Sequence, residues 1–306
     1  MITFTVAVPC STSNLGSGFD AVGIALGGPD LLVRVSPGGH ALRIARLSGE
    51  GADRLARDGS NRLLQAAQLA ARAAGRDPGE LNAELEVHSS IPLRRGLGSS
   101  AAAALAGALL ADRLLGGAVG EERALQVAVE LEGHPDNVVP SLRGGAQVAV
   151  IDAAGRALSC PIVLGAPMRA ALFIPDEELA TSAARAVLPA TVTLADAVHN
   201  LSRAALLVAA LQSGRLDLLG EAMDDRLHQP ARATLLPWLP SLLDAARQAG
   251  AAGAALSGAG TTVLALCAPG AAHEVARALR EAAQSRGIPG RPEVVDVGVP
   301  GARVLS

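Results

Sequence analysis

The stretch Ile91-Pro92-Leu93-Arg94-Arg95-Gly96-Leu97-Gly98-Ser99-Ser100-Ala101-Ala102 decides how the rest of the chain is read. Two glycines one residue apart permit positive φ and let backbone N–H groups face a ligand. Two serines stand where a helix begins, and small alanines follow, so nothing bulky blocks an approaching group. A helix N-terminus with free N–H groups and the positive end of its dipole is an anion site, here a candidate phosphate cradle. The serine hydroxyls add donors or a ligand for magnesium. Taken alone, the same residues also allow a Gly-rich turn with a serine helix cap. The spacing Gly96-x-Gly98-x-x-Ala101 matches the dinucleotide-binding fingerprint as well. That fingerprint needs a preceding first strand of a βαβ unit and an acid about twenty residues on, at a strand end. The nearest acid, Asp112, falls inside the predicted helix, which speaks against it.

Composition narrows the chemistry. The chain has 306 residues and 26 basic side chains, every one an arginine. Without lysine there is no Walker-type phosphate loop and no Schiff base. A net charge of −3 gives no electrostatic case for nucleic acid or an anionic membrane. Tyrosine is absent, and Trp238 with three phenylalanines leaves few platforms for stacking bases. Cys10, Cys160 and Cys267 are odd in number and far apart, so no disulfide framework is implied. The start, Met1-Ile2-Thr3-Phe4, has no basic region ahead of an apolar stretch. No apolar run of membrane-spanning length is free of Arg, Asp, Glu or repeated Gly. These features predict a soluble, cytoplasmic protein.

Periodicity supplies the frame. Residues 2–8 alternate as a strand with one buried face, and a polar, Gly-rich segment, Pro9 to Gly18, follows. Helices are predicted over 62–74, from Ser99 to about Leu115, and over 121–132, with Ser60-Asn61 capping the first. Further on the pattern predicts strands at Glu84–His88, Gln147–Ile151 and Ala170–Ile174, and helices over 194–212 and 239–250. A third Gly-rich stretch, Ser257-Gly258-Ala259-Gly260, leads into the apolar run Thr262–Leu266, then a helix (273–286) and a strand (293–298). This order argues α+β, with a domain boundary near residue 160 separating 1–160 from 161–306.

The string Ile91-Pro-x-x-x-Gly-Leu-Gly-Ser-Ser-Ala-Ala resembles the phosphate-binding motif of the GHMP small-molecule kinases. Val8-Pro9-Cys10-Ser11-Thr12-Ser13-Asn14-Leu15-Gly16-Ser17-Gly18-Phe19-Asp20 is similar to that family's first motif, and Leu256-Ser257-Gly258-Ala259-Gly260-Thr261-Thr262 to its third. The first motif and Glu132-Gly133-His134-Pro135-Asp136-Asn137 are most similar to the homoserine kinase branch. The resemblance spans essentially the whole chain. It departs at Thr261, where the family usually has proline, which leaves the geometry of that loop open.

The resemblance implies a ribosomal protein S5 domain 2-like N-terminal domain and a C-terminal ferredoxin-like domain, with the last strand returning towards the junction. It implies ATP held by the 92–102 loop, Asn61 near the adenine or ribose, and Mg2+ held by an acid with Ser99. Glu130 is the first choice for that acid and Glu132 the alternative; two apart on a helix, they point about 200° from each other, so only one can face the metal. For the acceptor, it implies Asp20 and Asn14 at an ammonium, Thr181 and Arg185 at a carboxylate, and His134 and Asn137 lining the pocket. Arg232 is the second carboxylate arm, with Arg226 as its rival. Asn137 would orient the acceptor hydroxyl. No general base is assigned, with Asp136 the first residue to check. The implied activity is phosphorylation of the homoserine hydroxyl by ATP, for threonine biosynthesis. Its rivals are a GHMP kinase for another alcohol such as mevalonate, and a nucleotide-binding protein on this fold without catalysis. A homodimer is left open.

Overall fold

The computed structural model describes residues 2–305; Met1, where the N-terminal reading begins, and Ser306 lie outside the described residues. Two strands, β1 (Phe4–Asn14) and β2 (Gly18–Pro37), form a long antiparallel hairpin with Phe4 opposite Val35 and Val8 opposite Leu31. Strand β3 (Arg43–Gly49) lies parallel to β4 (Ala83–Ser89), which pairs with β2. In β4, Ala83, Leu85 and Val87 point inward while Glu84, Glu86 and His88 face out, the alternation of a sheet with one solvated face. Strand β5 (Ala146–Ile151) pairs with β2 and with β6 (Ala157–Ile162). The chain returns at its end, where β11 (Arg303–Leu305) pairs with β1.

Helices α1 (Arg62–Ala73), α2 (Ser99–Leu114), α3 (Glu121–Glu132) and α4 (Val138–Arg143) cover the buried face. The central one is α2, with Ala101, Ala102, Ala104, Leu105, Ala106 and Ala108 all fully buried. Its small side chains let neighbouring helices approach closely, and that packing fixes the direction in which its N-terminus points.

The second sheet is antiparallel, with β7 (Arg169–Pro175), β8 (Gly253–Leu256), β9 (Val263–Cys267) and β10 (Gly290–Asp296) in the spatial order β10-β7-β9-β8. Helices α9 (Leu239–Gln248) and α10 (Ala272–Gln284) pack on it through Leu242, Ala246, Val275 and Leu279. The 4-1-3-2 order of its strands is that of a ferredoxin-like split βαβ sheet. Between β7 and α9 lie α5 (Thr181–Ala186), α6 (Leu194–Ser213), α7 (Leu219–Ala222) and α8 (Gln229–Arg232).

Two segments differ from the sequence reading. The strand predicted over 2–8 continues to Asn14, so much of the predicted polar loop is buried strand. Ser11, Thr12 and Ser13 tolerate burial because each hydroxyl finds a buried partner across the chain. Strand β2 begins with Gly18 and carries Gly23, Gly27 and Gly28 without clean alternation, so its sequence does not announce a strand. The cysteines are all free, with Cys10 and Cys267 buried.

Among the described residues, one helix, α6, is long and apolar enough to cross a membrane by composition alone. It carries Asp196 and Arg203, which pair with Arg226 and Glu221, and it buries His199, Asn200, Leu207 and Leu211 against the rest of the fold.

Candidate active site

The phosphate loop ends on Gly98, the residue before α2, at φ 73° and with no side-chain cap. Ser99 is therefore the first helical residue, and the serine cap that the sequence allowed is not formed. The N–H groups of the first turn keep their free valences and the helix keeps its positive end unmasked. The loop's carbonyls are tied off instead. Leu97 O accepts from Ser11 N (3.2 Å), Arg95 O from Thr262 N (3.2 Å) and Arg94 O from Leu179 N (3.0 Å). Ser257 Oγ donates to Gly96 O at 2.6 Å. Gly96 sits at φ 72°, and a Cβ there would fall 2.0 Å from the Ser257 carbonyl oxygen, so only glycine lets the two motifs meet. Of the third motif, Ala259 lines the acceptor pocket, while Ser257, Gly258 and Gly260 brace it.

The loop's two arginines have separate fates. Arg95 donates to the carbonyls of Leu93 (3.1 Å), Pro175 (2.6 Å) and Asp176 (2.6 Å), which makes it a strut to the end of β7. Arg94 stands at φ 54° and lines both the acceptor pocket and a second cleft beside it. Among the described residues no ion pair engages Arg94, whereas Arg95 lies 3.6 Å from Glu178. That second cleft is also lined by Leu55, Asn61, Arg62, Leu93 and Ala103. Asn61 caps α1 there, its Oδ1 accepting from Leu63 N at 3.0 Å. Pro92, Leu97 and Ala101 wall the acceptor pocket, whereas Ala102 is turned into the core.

The acid facing the cradle is Glu132, a correction to the first choice. Glu130 lies on the solvent face of α3, where it accepts from Gln126 Nε2 at 3.1 Å. Glu132, at the end of the helix, lines the pocket, accepts from Ser100 Oγ at 2.6 Å and lies 3.5 Å from Arg62 Nε. The hydroxyl beside it is thus Ser100 rather than Ser99. A carboxylate and a hydroxyl at a phosphate-binding helix end are hard oxygen donors, and that donor set fits magnesium. Among the described residues no cluster of three His, Cys, Asp or Glu could bind a metal by itself. Such an ion would take its other ligands from phosphate and water.

The acceptor pocket is electrostatically organised. Asp20 and Arg185 form a bidentate pair at 3.0 and 2.8 Å, and both line it. The Asp20 carboxylate raises the pKa of Arg185, against the opposing effect of its partial burial. Thr181 and Arg185 share a face of α5 at i, i+4. Asn14 holds the loop in shape, its Oδ1 accepting from Asp20 N (2.9 Å) and its Nδ2 donating to Gly258 O (2.9 Å).

Arg232 is 1% exposed and faces the same pocket. Its guanidinium donates to His228 Nδ1 (3.0 Å), Gly258 O (2.9 Å) and Ala184 O (3.3 Å), and lies 5.4 Å from the Phe19 ring centre. Among the described residues no carboxylate comes within 4.0 Å of it, and burial pushes its pKa down. Asp20, Asp225 and Asp136 act on it only at longer range, and burying a cation without a direct ion-pair partner is costly. Arg226, the rival, is instead a surface residue 3.6 Å from Asp196.

His134 Nδ1 pairs with Asp136 Oδ1 at 2.7 Å, and Asp136 is 2% exposed. Burial lowers the imidazole pKa, but the hydrogen bond and charge of Asp136 outweigh it and raise it overall. Asn137 accepts from Ser11 Oγ (3.1 Å) and donates to Ser13 Oγ (2.8 Å), while Ser141 donates to Ser11 Oγ (2.9 Å). Sequence reasoning did not assign roles to Ser11, Ser13, Ser141, Phe19 or His228. For Ser11 and Ser13 the signal was an unusual run of hydroxyls between an apolar strand and Asn14.

Comparison with known proteins gives the family. The family description "GHMP kinases N terminal domain" matches residues 61–145, and "GHMP kinases C terminal" matches residues 207–285. The chain is 47% identical to the homoserine kinase of Deinococcus radiodurans over 264 residues, covering 85% of this chain and 83% of that one. It is 43% identical to the homoserine kinase of Thermus thermophilus over 295 residues, 95% of each. The crystal structure of homoserine kinase from Cytophaga hutchinsonii superposes with a TM-score of 0.86 at 28% identity, covering 99% of this chain and 97% of that one. The chain belongs to the GHMP kinases and, within them, to the homoserine kinase family.

Proposed function

We propose that the chain transfers the γ-phosphoryl group of ATP to the side-chain hydroxyl of L-homoserine, giving O-phospho-L-homoserine and ADP for threonine biosynthesis. The observation that carries this reading is Arg232, a buried guanidinium without a carboxylate partner, facing one pocket together with Asp20 and Arg185. Two cations and one anion complement the carboxylate and ammonium of an amino acid. Mevalonate has a carboxylate for the arginines but no ammonium for Asp20.

The catalytic work falls to positioning and charge, as phosphoryl transfer allows. Backbone N–H groups at the start of α2, with Ser99 and Ser100, would hold the phosphate oxygens, and Arg94 would meet them from the loop. Glu132 and Ser100 would hold magnesium, which when bound neutralises charge on the β- and γ-phosphate oxygens. Asn137, its amide pinned by Ser11 and Ser13, would orient the acceptor hydroxyl. A bond forms between that oxygen and the γ-phosphorus as the bridge to ADP breaks. Asp136 Oδ1 is paired with His134, and no general base is assigned. In a loose transition state the hydroxyl proton departs late, so a strong base is not required. ATP as co-substrate puts the reaction in the cytoplasm.

An ADP-release assay with homoserine, mevalonate and galactose, each with magnesium or EDTA, tests this. Metal-dependent turnover of homoserine alone is expected. Turnover of mevalonate in preference, or ATP binding with no turnover of any acceptor, would reject it.

A further inference from the structure

The buried imidazole of His228 lies behind the acceptor pocket, between two of its working parts. It is fully buried and stacks on Phe19, with ring centres 4.8 Å apart. Its Nδ1 is 3.0 Å from Arg232 Nη1 and its Nε2 is 3.0 Å from Gly16 O. A guanidinium only donates and a carbonyl only accepts, so one tautomer satisfies both contacts. Nδ1 must be bare and Nε2 must carry the proton. The ring is therefore neutral and doubly committed, and burial pushes its pKa down to about 4.

Both commitments end on pocket elements. Gly16 belongs to the loop that presents Asn14 and Asp20, and that loop is strained. Asn14, Leu15 and Asp20 have φ of 74°, 48° and 54°, values that non-glycine residues keep only when neighbours hold them there. A Cβ on Gly16 would fall 1.9 Å from Met223 O, so the loop presses on the segment leading into α8. Ser17 Oγ donates to Ala222 O at 2.6 Å. Asp225 fixes the backbone of that segment, its Oδ2 accepting from His228 N (3.1 Å) and Gln229 N (2.7 Å). The same Oδ2 lies 3.5 Å from His228 Nε2, farther than the carbonyl of Gly16.

We infer that His228 is a positioning residue for the acceptor, holding Arg232 in register with the Asn14–Asp20 loop by bridging the two through its opposite ring nitrogens. The inference rests on Arg232 being the carboxylate seat. Without the ring, Arg232 loses one of its acceptors, so carboxylate binding weakens, while the Asn14–Asp20 loop keeps its bonds from Asn14 Nδ2 to Gly258 O and from Ser17 Oγ to Ala222 O and the phosphate cradle is untouched.

The test is steady-state kinetics of H228L, H228N and H228Q with homoserine and with 3-aminopropan-1-ol, the same acceptor without its carboxylate. Asparagine can place its amide oxygen where Nδ1 was and still accept from Arg232. Glutamine can reach Gly16 O but leaves Arg232 without that acceptor. H228L is expected to raise the KM for homoserine on the order of tenfold, with kcat and the KM for ATP within about twofold. H228N recovers most of the homoserine affinity and H228Q does not. With 3-aminopropan-1-ol, kcat/KM is expected to match wild type within about twofold in all three. An unchanged KM for homoserine, equal loss with both acceptors, or parallel loss of ATP affinity would overturn the inference. If H228L does not fold, H228Q outperforming H228N on homoserine would overturn it as well. Absence of homoserine turnover by the wild-type protein would instead count against the proposed function itself.

Discussion

On one side of the Gly96–Ser100 loop, much of the acceptor pocket is built from buried, hydrogen-bonded groups, while its Asp20–Arg185 pair stays more than a third exposed. Arg232, Asn137 and Asp136 are each under 10% exposed and each is held by at least one named partner. On the other side, the second cleft is lined by surface groups: Arg54 is half-exposed and paired with Glu178, Leu55 is 38% exposed, and Asn61 caps a helix. The buried part of the acceptor wall is thus pre-shaped, whereas the second cleft, which we propose takes the nucleotide, is lined by more exposed side chains. Pre-organisation is concentrated where a small zwitterion must be told from other alcohols. ATP, with three phosphates to grip, can be held by backbone N–H groups and a helix dipole. This also shows how a chain with no lysine can do kinase chemistry.

The two walls separate by mutation. The largest effect is expected at their meeting point: Glu132→Gln should lower kcat by about a hundredfold or more and weaken magnesium dependence, while Glu130→Gln stays within about twofold of wild type. Equal losses would put Glu130 back at the metal. Next, Arg232→Ala and Arg185→Ala should each raise the KM for homoserine on the order of 10- to 100-fold, the worth of a charge-assisted contact, with the KM for ATP little changed. Parallel loss of both substrates would erase the contrast between the walls.

How much of this was legible in the sequence depends on range. The 92–102 loop and the helix after it were readable because glycines, serines and alanines set their own backbone locally. The choice between Glu130 and Glu132 was not, because it turns on which face α3 packs, a tertiary matter. Arg232 was named from the resemblance, with Arg226 left as its rival, but that it is buried and joined to His228, which carried no signal of its own, only the fold reveals. Strand β2 was hidden by its glycines, and the buried serines of β1 by resembling a loop.

Smaller effects sharpen the same contrast. Arg95→Ala should lower stability by about 1–3 kcal/mol in chemical denaturation, because the Pro175 and Asp176 carbonyls lose their donor. Arg94→Ala should leave stability unchanged and raise the KM for ATP a few-fold. A pH effect tests the acceptor wall as well. His228 has a native pKa near 4 against 6.5 for the free side chain, so the unfolded state binds the extra proton between those values. Its contribution is complete above pH 6.5 and is lost as pH falls towards 4, with Asp225, Asp20 and Arg232 the charges around it. The melting temperature of H228N should fall less steeply across that window than that of wild type.

The most direct measurement compares kcat/KM for homoserine with 3-aminopropan-1-ol, which lacks the carboxylate, and with 4-hydroxybutanoate, which lacks the ammonium. If Asp20, Arg185 and Arg232 read a zwitterion, each analogue should lose on the order of a hundredfold or more. An analogue that keeps turnover within about tenfold of homoserine would contradict the charge assignment of that end of the pocket.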